Sequence, residues 1–303
     1  MMPPEPTTEA RHPGSDDIDE LSTIELVRLM NAEDARVAVA IATELAAIAA
    51  AIDRIADRMR RGGRLIYIGA GTSGRLGVLD AAECPGTFST APGQVLAVMA
   101  GGPGALTGAA EDAEDDEAGG VAAAVDRAVV RADSVVGISA SGRTPYVIGA
   151  LGESRRRGAL TIALAANRPS PLEVVADVSI APMVGPEILT GSTRLKAGTA
   201  QKMVLNMLST GVMIRLGKTF GNLMVDVRPR NAKLRERARR IVQEATGTTA
   251  GESQALLEAA EGDVKVAVVT ALGQVPPAHA RVALERTGGV VRLALDALSI
   301  EGA

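Results

Sequence analysis

Two short turns in this sequence carry residue types that can bind an oxyanion without a lysine. Residues 69–75 read Gly-Ala-Gly-Thr-Ser-Gly-Arg, and residues 139–145 read Ser-Ala-Ser-Gly-Arg-Thr-Pro. Glycines let the backbone turn sharply beside a ligand, and the free N–H groups of a following helix point at an anion and favour its charge. The sequence therefore predicts a phosphate-binding cradle, whose hydroxyl donors are Thr72, Ser73, Ser139, Ser141 and Thr144.

Each turn also has a competing interpretation. The second turn alone is typical of a helix cap, and it is the presence of two such turns in one sheet that favours phosphate binding. The first turn satisfies the G-x-G-x-x-G dinucleotide pattern, which needs an acid about 20 residues later. The next apolar run, residues 95–100, instead leads into Gly-Gly-Pro. A nicotinamide site is therefore disfavoured, and a Walker A loop is excluded because no Gly-Lys-Ser/Thr follows.

Groups other than imidazole must carry out any proton transfer in the sheet region of this chain. The two histidines, His12 and His279, lie outside the region of the strands, so carboxylates, Tyr, Cys or Lys must act there. Glu83 follows an apolar helical stretch, where it could be a solvated carboxylate at a helix end. Glu114 lies in the acidic run 111–117, whose simplest interpretation is a solvated helix surface. Both glutamates are candidates for acid–base chemistry, and the alternatives stay open at this point.

The elements around these residues predict an α/β fold. Apolar, β-branched runs alternate with helical patterns, which implies right-handed β-α-β crossovers and a parallel five-stranded sheet with helices on both faces. Ligands in such sheets bind beyond the carboxyl ends of the strands, where both hydroxyl-rich turns lie. The predicted strands are residues 65–68, 95–100, 134–139, 160–165 and 178–181.

Domain boundaries follow from changes in composition. Residues 1–20 are rich in Pro, Asp and Thr and are predicted to be a flexible arm. Residues 21–230 hold the sheet domain with its N-terminal helices, and a third polar segment, 190–199, precedes a long helix. Residues 231–303 are helical in pattern and are predicted to form a separate three-helix module, with breaks at Gly247, Gly262, Pro276-Pro277 and Gly288-Gly289.

Composition narrows the function classes. The chain has 303 residues, a net charge of −4, 1% aromatic residues and no Trp, which argues against nucleic acid as a partner. The single cysteine, Cys84, fits a reducing cytoplasm, and the N-terminus lacks the features of a signal peptide. The longest apolar stretch, 37–52, contains Glu44 and is too short to span a bilayer. We therefore expect a cytoplasmic protein with no membrane partner.

The motifs resemble a known family. Gly-Thr-Ser-Gly-Arg after the first strand and Ser-x-Ser-Gly-x-Thr after the third are similar to the sugar isomerase (SIS) domain. Four longer strings, residues 69–85, 139–146, 191–208 and 221–227, resemble the N-acetylmuramic acid 6-phosphate etherases nearly residue for residue. The similarity extends from about Thr8 to the C-terminal module, which is similar to the small UBA-like helical domain of that family.

The resemblance implies an activity and a set of site residues. Etherases of this family cleave the lactyl ether of N-acetylmuramic acid 6-phosphate with water in cell-wall recycling, without metal or organic cofactor and usually as homodimers. The family's acid matches Glu83, and its second catalytic glutamate matches Glu114. The hydroxyls of the two turns would hold the phosphate. Two positions depart from the family pattern: His12 stands where Asn is common, and Gly86 replaces a usual second Pro after Cys84.

Two other functions share the same cradle. A non-catalytic sugar-phosphate sensor is one, because the glucokinase regulatory protein has similar motifs, although that regulator carries two such domains. A phosphosugar isomerase is the other, since it would use the cradle and one acid to shuttle a proton. Release of D-lactate would distinguish the etherase from both.

Overall fold

The computed structural model of the protein describes residues 6–108, 110–227 and 232–301. The chain divides into two compact units. The first comprises Met1–Ala82 and Pro92–Gly211, and the second comprises Glu83–Ala91 and Val212–Ala303. Within the described residues no single helix is long and apolar enough to cross a membrane. One pair of helical segments, Thr23–Ala42 and Leu45–Arg60, reaches the length and hydropathy of a span only when the two are taken together, and the pair is bent by 61°.

A five-stranded parallel sheet forms the centre of the first unit, which confirms the predicted fold class. Its spatial order is β2-β1-β3-β4-β5, and Leu65 pairs with both Val95 and Ser134 in register. β1 is buried along its whole length, as expected for a strand covered on both faces. The strands are β1 Leu65–Gly69, β2 Val95–Met99, β3 Ser134–Ile138, β4 Leu160–Leu164 and β5 Val178–Ile180.

Helices precede the sheet and alternate with its strands. The first eight are α1 Thr23–Asp34, α2 Val37–Ala42, α3 Leu45–Arg60, α4 Gly71–Phe88, α5 Glu117–Asp126, α6 Pro145–Arg156, α7 Pro171–Val174 and α8 Lys196–Arg215. Short 3-10 helices add Thr7–Glu9, Ile18–Glu20, Gly102–Leu106 and Glu111–Ala113. Side chains of β1 and β3 pack with α6 in one apolar cluster that contains Ile66, Ile68, Val135, Val147 and Leu151.

Close packing of α5 on α6 brings their N-termini together. A Cβ atom on Gly120 would collide with the Tyr146 carbonyl, and one on Gly149 would collide with the Glu117 carbonyl. Small residues therefore let the two backbones approach closely. This matters for the site because Glu114 lies just before α5 and Thr144 lies just before α6.

A buried polar contact fixes α4 and α8 against β1. The Tyr67 hydroxyl donates to Asp80 Oδ2 at 2.8 Å, and the Ser209 hydroxyl donates to Asp80 Oδ1 at 3.0 Å. Burial raises the pKa of Asp80, and the two hydrogen bonds oppose that shift. One carboxyl group thus joins a strand and two helices, which sets the position of the α4 N-terminus.

The second unit is helical, with five helices in the described C-terminal residues rather than the predicted three. They are α9 Ala232–Thr246, α10 Ala250–Ala259, α11 Val264–Gly273, α12 Pro277–Arg286 and α13 Val291–Glu301. The predicted breaks are all at helix ends, and four breaks divide a helical stretch into five pieces. Gly247, Gly262, Gly288 and Gly289 have positive φ there. The predicted boundary between residues 230 and 231 lies outside the described residues.

Candidate active site

A cavity of about 370 Å³ lies in the first unit beside the carboxyl ends of β1 and β3. All five predicted hydroxyl donors line it, and so does Glu114. The sequence analysis had placed these residues in two separate turns and one acidic run, and the fold brings them to one place. The lining residues are Glu9, Ala70, Gly71, Thr72, Ser73, Arg75, Ala110, Glu114, Ser139, Ala140, Ser141, Thr144 and Thr193.

The turn between β1 and α4 is built on glycine. A Cβ on Gly69 would lie 2.7 Å from the Gly74 nitrogen, and Gly71 has φ of +51°, so side chains are excluded at both positions. The Gly74 N–H donates to the Ala70 carbonyl at 3.0 Å and starts the helix. Gly71, Thr72 and Ser73, the first three residues of α4, line the cavity. The turn therefore has the backbone geometry of an anion site.

Ser73 is held by a residue from α8. Its hydroxyl is 2.9 Å from Gln201 Oε1, and both side chains are buried. Among the described residues, Gln201 Nε2 is buried and has no hydrogen-bond partner. Rotation of the amide by 180° would let Nε2 donate to the Ser73 oxygen, and the Ser73 hydroxyl hydrogen would then be free to donate to a ligand. Gln201 was not identified from the sequence.

The turn between β3 and α6 is folded by its own hydroxyls. Ser139 Oγ lies 2.7 Å from Thr144 Oγ1 and accepts from the Gly142 N–H at 3.1 Å. Ser141 Oγ accepts from the Arg143 N–H at 3.1 Å. These contacts stabilise the turn itself, whereas the N-cap residue of α6, Thr144, makes no side-chain capping hydrogen bond. The helix cap of the competing interpretation is therefore not formed, and the turn contacts hold the hydroxyls at the cavity wall. The loop is therefore pre-organised, and binding needs little further ordering of it.

Glu114 lies between the short helix Glu111–Ala113 and α5. Its backbone carbonyl accepts from the Tyr146 N–H at 3.1 Å, which ties it to the start of α6. Its Oε1 would be only 2.7 Å from a Cβ on Gly71, so the carboxylate lies directly over the first hydroxyl-rich turn, residues 69–75. The side chain is half-buried. A carboxylate so close to an anion cradle can accept a proton from a ligand held there.

Arg75 is a cavity residue that the sequence analysis did not single out. Its guanidinium donates to the carbonyls of Ala105, Leu106 and Gly108, at 3.0, 3.2 and 2.7 Å. These bonds bind the loop that leads from β2 towards Glu114. Arg75 therefore acts on the shape of the cavity through that loop, and the cradle itself consists of neutral donors.

Glu83 is placed differently from the other predicted residues. It is exposed on α4 and is not among the residues that line the cavity. α4 continues to Phe88 with Pro85 inside it, so Glu83 is within the helix and not at its end. The structure therefore joins Glu114 to the cradle within the first unit, whereas Glu83 belongs to the second unit.

The third polar segment contributes Thr193 to the cavity, whereas its Lys196 forms an ion pair elsewhere. Lys196 is buried, and its Nζ lies 2.5 Å from Glu33 Oε2. His12 Nε2 lies 3.3 Å from Glu33 Oε1. Burial alone would raise the pKa of Glu33, but hydrogen bonds from Lys196, Arg36 and His12 lower it to about 2. His12 is thus part of a buried charged cluster in the described N-terminal segment.

The described residues contain no group of three or more His, Cys, Asp and Glu side chains arranged to hold a metal ion. The polar side chains around the cavity are five hydroxyls of the two turns, the Thr193 hydroxyl, the carboxylates of Glu9 and Glu114, and the Arg75 guanidinium. Such a set can hold a phosphate group through its donors and can exchange protons through Glu114. It fits a phosphorylated ligand that also carries hydrogen-bond donors.

Family models match two overlapping parts of the chain. The glucokinase regulatory protein N-terminal SIS domain matches residues 47–154, and the SIS domain matches residues 113–211. Together they span the parallel sheet and both hydroxyl-rich turns.

Full-length relatives decide the family. The N-acetylmuramic acid 6-phosphate etherase of Streptomyces avermitilis is 56% identical over 291 residues, which are 96% of this chain and 94% of that protein. The protein of that name from Rubrobacter xylanophilus is 55% identical over 289 residues, or 95% of each chain. The chain belongs to the N-acetylmuramic acid 6-phosphate etherase family. The resemblance seen in the four sequence strings is therefore confirmed over nearly the whole chain.

Solved structures support the fold of this etherase family member. A Bacteroides fragilis protein named as a candidate phosphosugar isomerase involved in capsule formation has a TM-score of 0.50 and 20% identity, and the match covers 64% of this chain and 91% of that one. At that identity the likeness concerns the fold alone. It agrees with the SIS-type sheet that the motifs predicted.

Proposed function

We propose that this protein cleaves the D-lactyl ether of N-acetylmuramic acid 6-phosphate with water, giving N-acetylglucosamine 6-phosphate and D-lactate. One observation carries the proposal: relatives that are 51–56% identical along about 95% of the chain are etherases of this substrate. The cavity agrees with it, because hydroxyl donors for a phosphate and a carboxylate lie together there. The reaction would recover an amino sugar in peptidoglycan recycling.

The chemistry is an elimination followed by a hydration. In the open-chain sugar the aldehyde acidifies the adjacent C–H, so a carboxylate base can remove that proton. The electron pair forms a C=C bond while the next carbon loses the lactyl oxygen, which takes a proton from a carboxylic acid and departs as D-lactate. Water then adds to the carbon that lost lactate, and the carbon beside the aldehyde regains a proton. Two carboxyl groups in opposite protonation states are required.

Different residues of this chain have different roles in the proposed reaction. Glu114 is the base, since it lies over the phosphate turn and lines the cavity. Glu83 is the acid that protonates the lactyl oxygen. Hydroxyls of Thr72, Ser73, Ser139, Ser141 and Thr144 hold the phosphate, and this binding energy positions the distant ether for reaction.

The proposed active form is a homodimer in which Glu83 of one copy completes the cavity of the other. Glu83 is exposed on α4, and Leu79, one helical turn earlier on the same face, is 51% exposed. An apolar groove of the first unit, lined by Leu45, Ile48, Ile52 and Met207 among others, offers a surface of the kind that dimers bury. A second copy would also cover the exposed Glu83 side chain.

The decisive experiment is incubation of the purified protein with N-acetylmuramic acid 6-phosphate and measurement of D-lactate. We expect stoichiometric D-lactate and N-acetylglucosamine 6-phosphate, with one oxygen from water in the product sugar. Binding of the substrate without lactate would show a sensor. Interconversion of an aldose phosphate and a ketose phosphate without lactate would show an isomerase.

A further inference from the structure

The N-terminal residues predicted as a flexible arm are attached to the cavity wall by one amide side chain. The Thr7 hydroxyl donates to Asn167 Oδ1 at 3.0 Å, and the Thr8 N–H donates to the same oxygen at 3.3 Å. Asn167 Nδ2 in turn donates to Thr8 Oγ1 at 2.9 Å. Thr8 is completely buried. Three hydrogen bonds and a buried side chain therefore fix the short helix Thr7–Glu9 in place.

The same amide also holds the second phosphate turn. Asn167 Nδ2 donates to the Ala140 carbonyl at 2.9 Å, and Ala140 lies between Ser139 and Ser141 in that turn. The Ala166 N–H donates to the same carbonyl at 2.9 Å. The arm and the hydroxyl cradle are thus fixed to a common point just after β4. A residue of the arm that lines the cavity therefore has a defined position relative to the second hydroxyl-rich turn, residues 139–145.

Glu9 is that residue. It ends the short helix, it lines the cavity, and its side chain is exposed. Its Oε2 would be 3.2 Å from a Cβ on Gly191, a residue with φ of +75°, so a glycine there leaves the carboxylate room. The Glu9 backbone N–H donates to the Pro6 carbonyl at 3.0 Å, and within the described residues the Glu9 carboxylate has no hydrogen-bond or salt-bridge partner. A carboxylate that is held beside a cavity and left without a partner is available to a ligand.

Chemistry limits what such a carboxylate can bind. It only accepts hydrogen bonds, and a phosphate dianion has no hydrogen to donate. The other groups around the cavity are mainly hydroxyl donors for the phosphate, and Glu114 has the role of base. Glu9 must therefore face the part of the ligand that carries O–H and N–H donors, which in an amino-sugar phosphate are the ring or chain hydroxyls and the acetamido N–H.

We propose that Glu9 is a binding residue that accepts a hydrogen bond from an O–H or N–H donor of the amino sugar, so that the N-terminal arm forms part of the substrate site. This inference rests on the proposed function, because it takes the ligand to be an amino-sugar phosphate. It assigns the sugar end of the ligand to Glu9 and leaves the phosphate end to the two hydroxyl-rich turns.

The proposal predicts that replacing Glu9 changes the binding of two ligands differently. Inorganic phosphate occupies only the cradle, whereas N-acetylglucosamine 6-phosphate also reaches Glu9. Glu9→Ala removes a charged acceptor, which should weaken the sugar phosphate by about tenfold or more. The same substitution removes a negative charge near the cradle, so inorganic phosphate should bind as well as before or more tightly. A mere loss of fold would weaken both ligands together.

The test is titration calorimetry of both ligands with the wild type, Glu9→Ala, and Glu20→Ala as a control that removes an exposed carboxylate from the same N-terminal segment. We expect selective loss for the sugar phosphate in Glu9→Ala alone, with KM for the substrate raised and kcat changed less than about threefold. Equal affinities in wild type and Glu9→Ala, or equal losses for both ligands, would overturn the inference. A wild type that binds neither ligand would contradict the proposed function itself.

Discussion

The two glutamates assigned to proton transfer have contrasting surroundings. Glu114 is half-buried, lines the cavity and lies over Gly71, and its backbone is bonded to Tyr146. The loop before it is held by Arg75. Glu83 is exposed on α4, in the part of that helix that belongs to the second unit, and it is not among the residues that line the cavity. Glu114 is thus a lining residue of the cavity, and Glu83 is not.

This difference teaches which part of the mechanism a single chain can support. A base has to lie near the proton that it removes, and Glu114 meets that condition in one copy. A general acid has to lie near the oxygen that it protonates, and Glu83 is not among the residues that line the cavity. In the proposed dimer, a second copy supplies Glu83 to the cavity of the first.

The largest loss is expected for Glu114→Gln. The amide keeps the size of the side chain but cannot take a proton, so kcat should fall by about 10³-fold while N-acetylglucosamine 6-phosphate still binds. Lactate release and calorimetry measure the two quantities. Asp115→Asn is the matched control, because it neutralises the adjacent, exposed acid outside the cavity lining. Turnover within tenfold of the wild type would remove Glu114 from the proton-transfer step.

Glu83→Gln should lower kcat by about 10²-fold or more, since the lactyl oxygen would leave unprotonated. The control is Glu285→Gln, which changes an exposed glutamate on another helix of the second unit. Near-normal turnover in Glu83→Gln would show that the lactyl oxygen obtains its proton elsewhere. The contrast between the two glutamates would then have no catalytic meaning.

Mixed dimers sharpen the comparison further. If each cavity takes Glu114 from one copy and Glu83 from the other, a dimer of one Glu83→Gln chain and one Glu114→Gln chain has one intact site. Random mixing of the two variants should then restore about a quarter of wild-type activity, from two preparations that are each nearly inactive. No recovery, with subunit exchange verified by differently tagged chains, would show that both glutamates act from one chain.

Arg75→Met should have an intermediate effect, about tenfold on kcat, because it releases the loop that precedes Glu114. Arg75→Lys should be nearly as slow, since an ammonium group cannot reproduce the three-carbonyl contact of the planar guanidinium. Binding of inorganic phosphate should be unchanged in both variants. Weaker phosphate binding in Arg75→Met together with rescue by Lys would instead make Arg75 a phosphate ligand.

The fold could be predicted from the sequence because its signals are local. Apolar runs of β-branched residues mark strands, and all five predicted strands agree with the structure within one residue at the ends. The helical breaks were also correctly placed, at positive-φ glycines and at Pro276-Pro277. The predicted number of three helices after residue 231 was wrong, because the four breaks divide the described stretch into five helices.

The site could be predicted only in part. Hydroxyls next to glycines in a turn have a local signature, so the sequence indicates the five hydroxyl residues that line the cavity, and their role in phosphate binding stays a prediction. Glu9, Arg75 and Gln201 were not predicted, because their places at the cavity depend on contacts with residues that are distant in the chain, such as Asn167 for the arm. The exposure of Glu83 agrees with one of the two interpretations that the sequence left open, although Glu83 lies inside α4 and not at the end of the helix.

A third glutamate, Glu33, shows what a purely structural carboxylate looks like, and its replacement should have the smallest effect on turnover, within about twofold at neutral pH. Its pKa is lowered from 4.5 to about 2 in the folded protein, because hydrogen bonds from Lys196, Arg36 and His12 outweigh burial. A lowered carboxyl pKa stabilises the fold above the unfolded value, by an amount on the order of 3 kcal/mol here, and this contribution disappears as the pH falls from about 4.5 towards 2. Urea unfolding of wild type and Glu33→Gln should therefore show a difference in the free energy of unfolding that is largest near pH 6 and narrows below pH 4.5. A difference that stays constant across this range would mean that Glu33 is not held ionised by its neighbours.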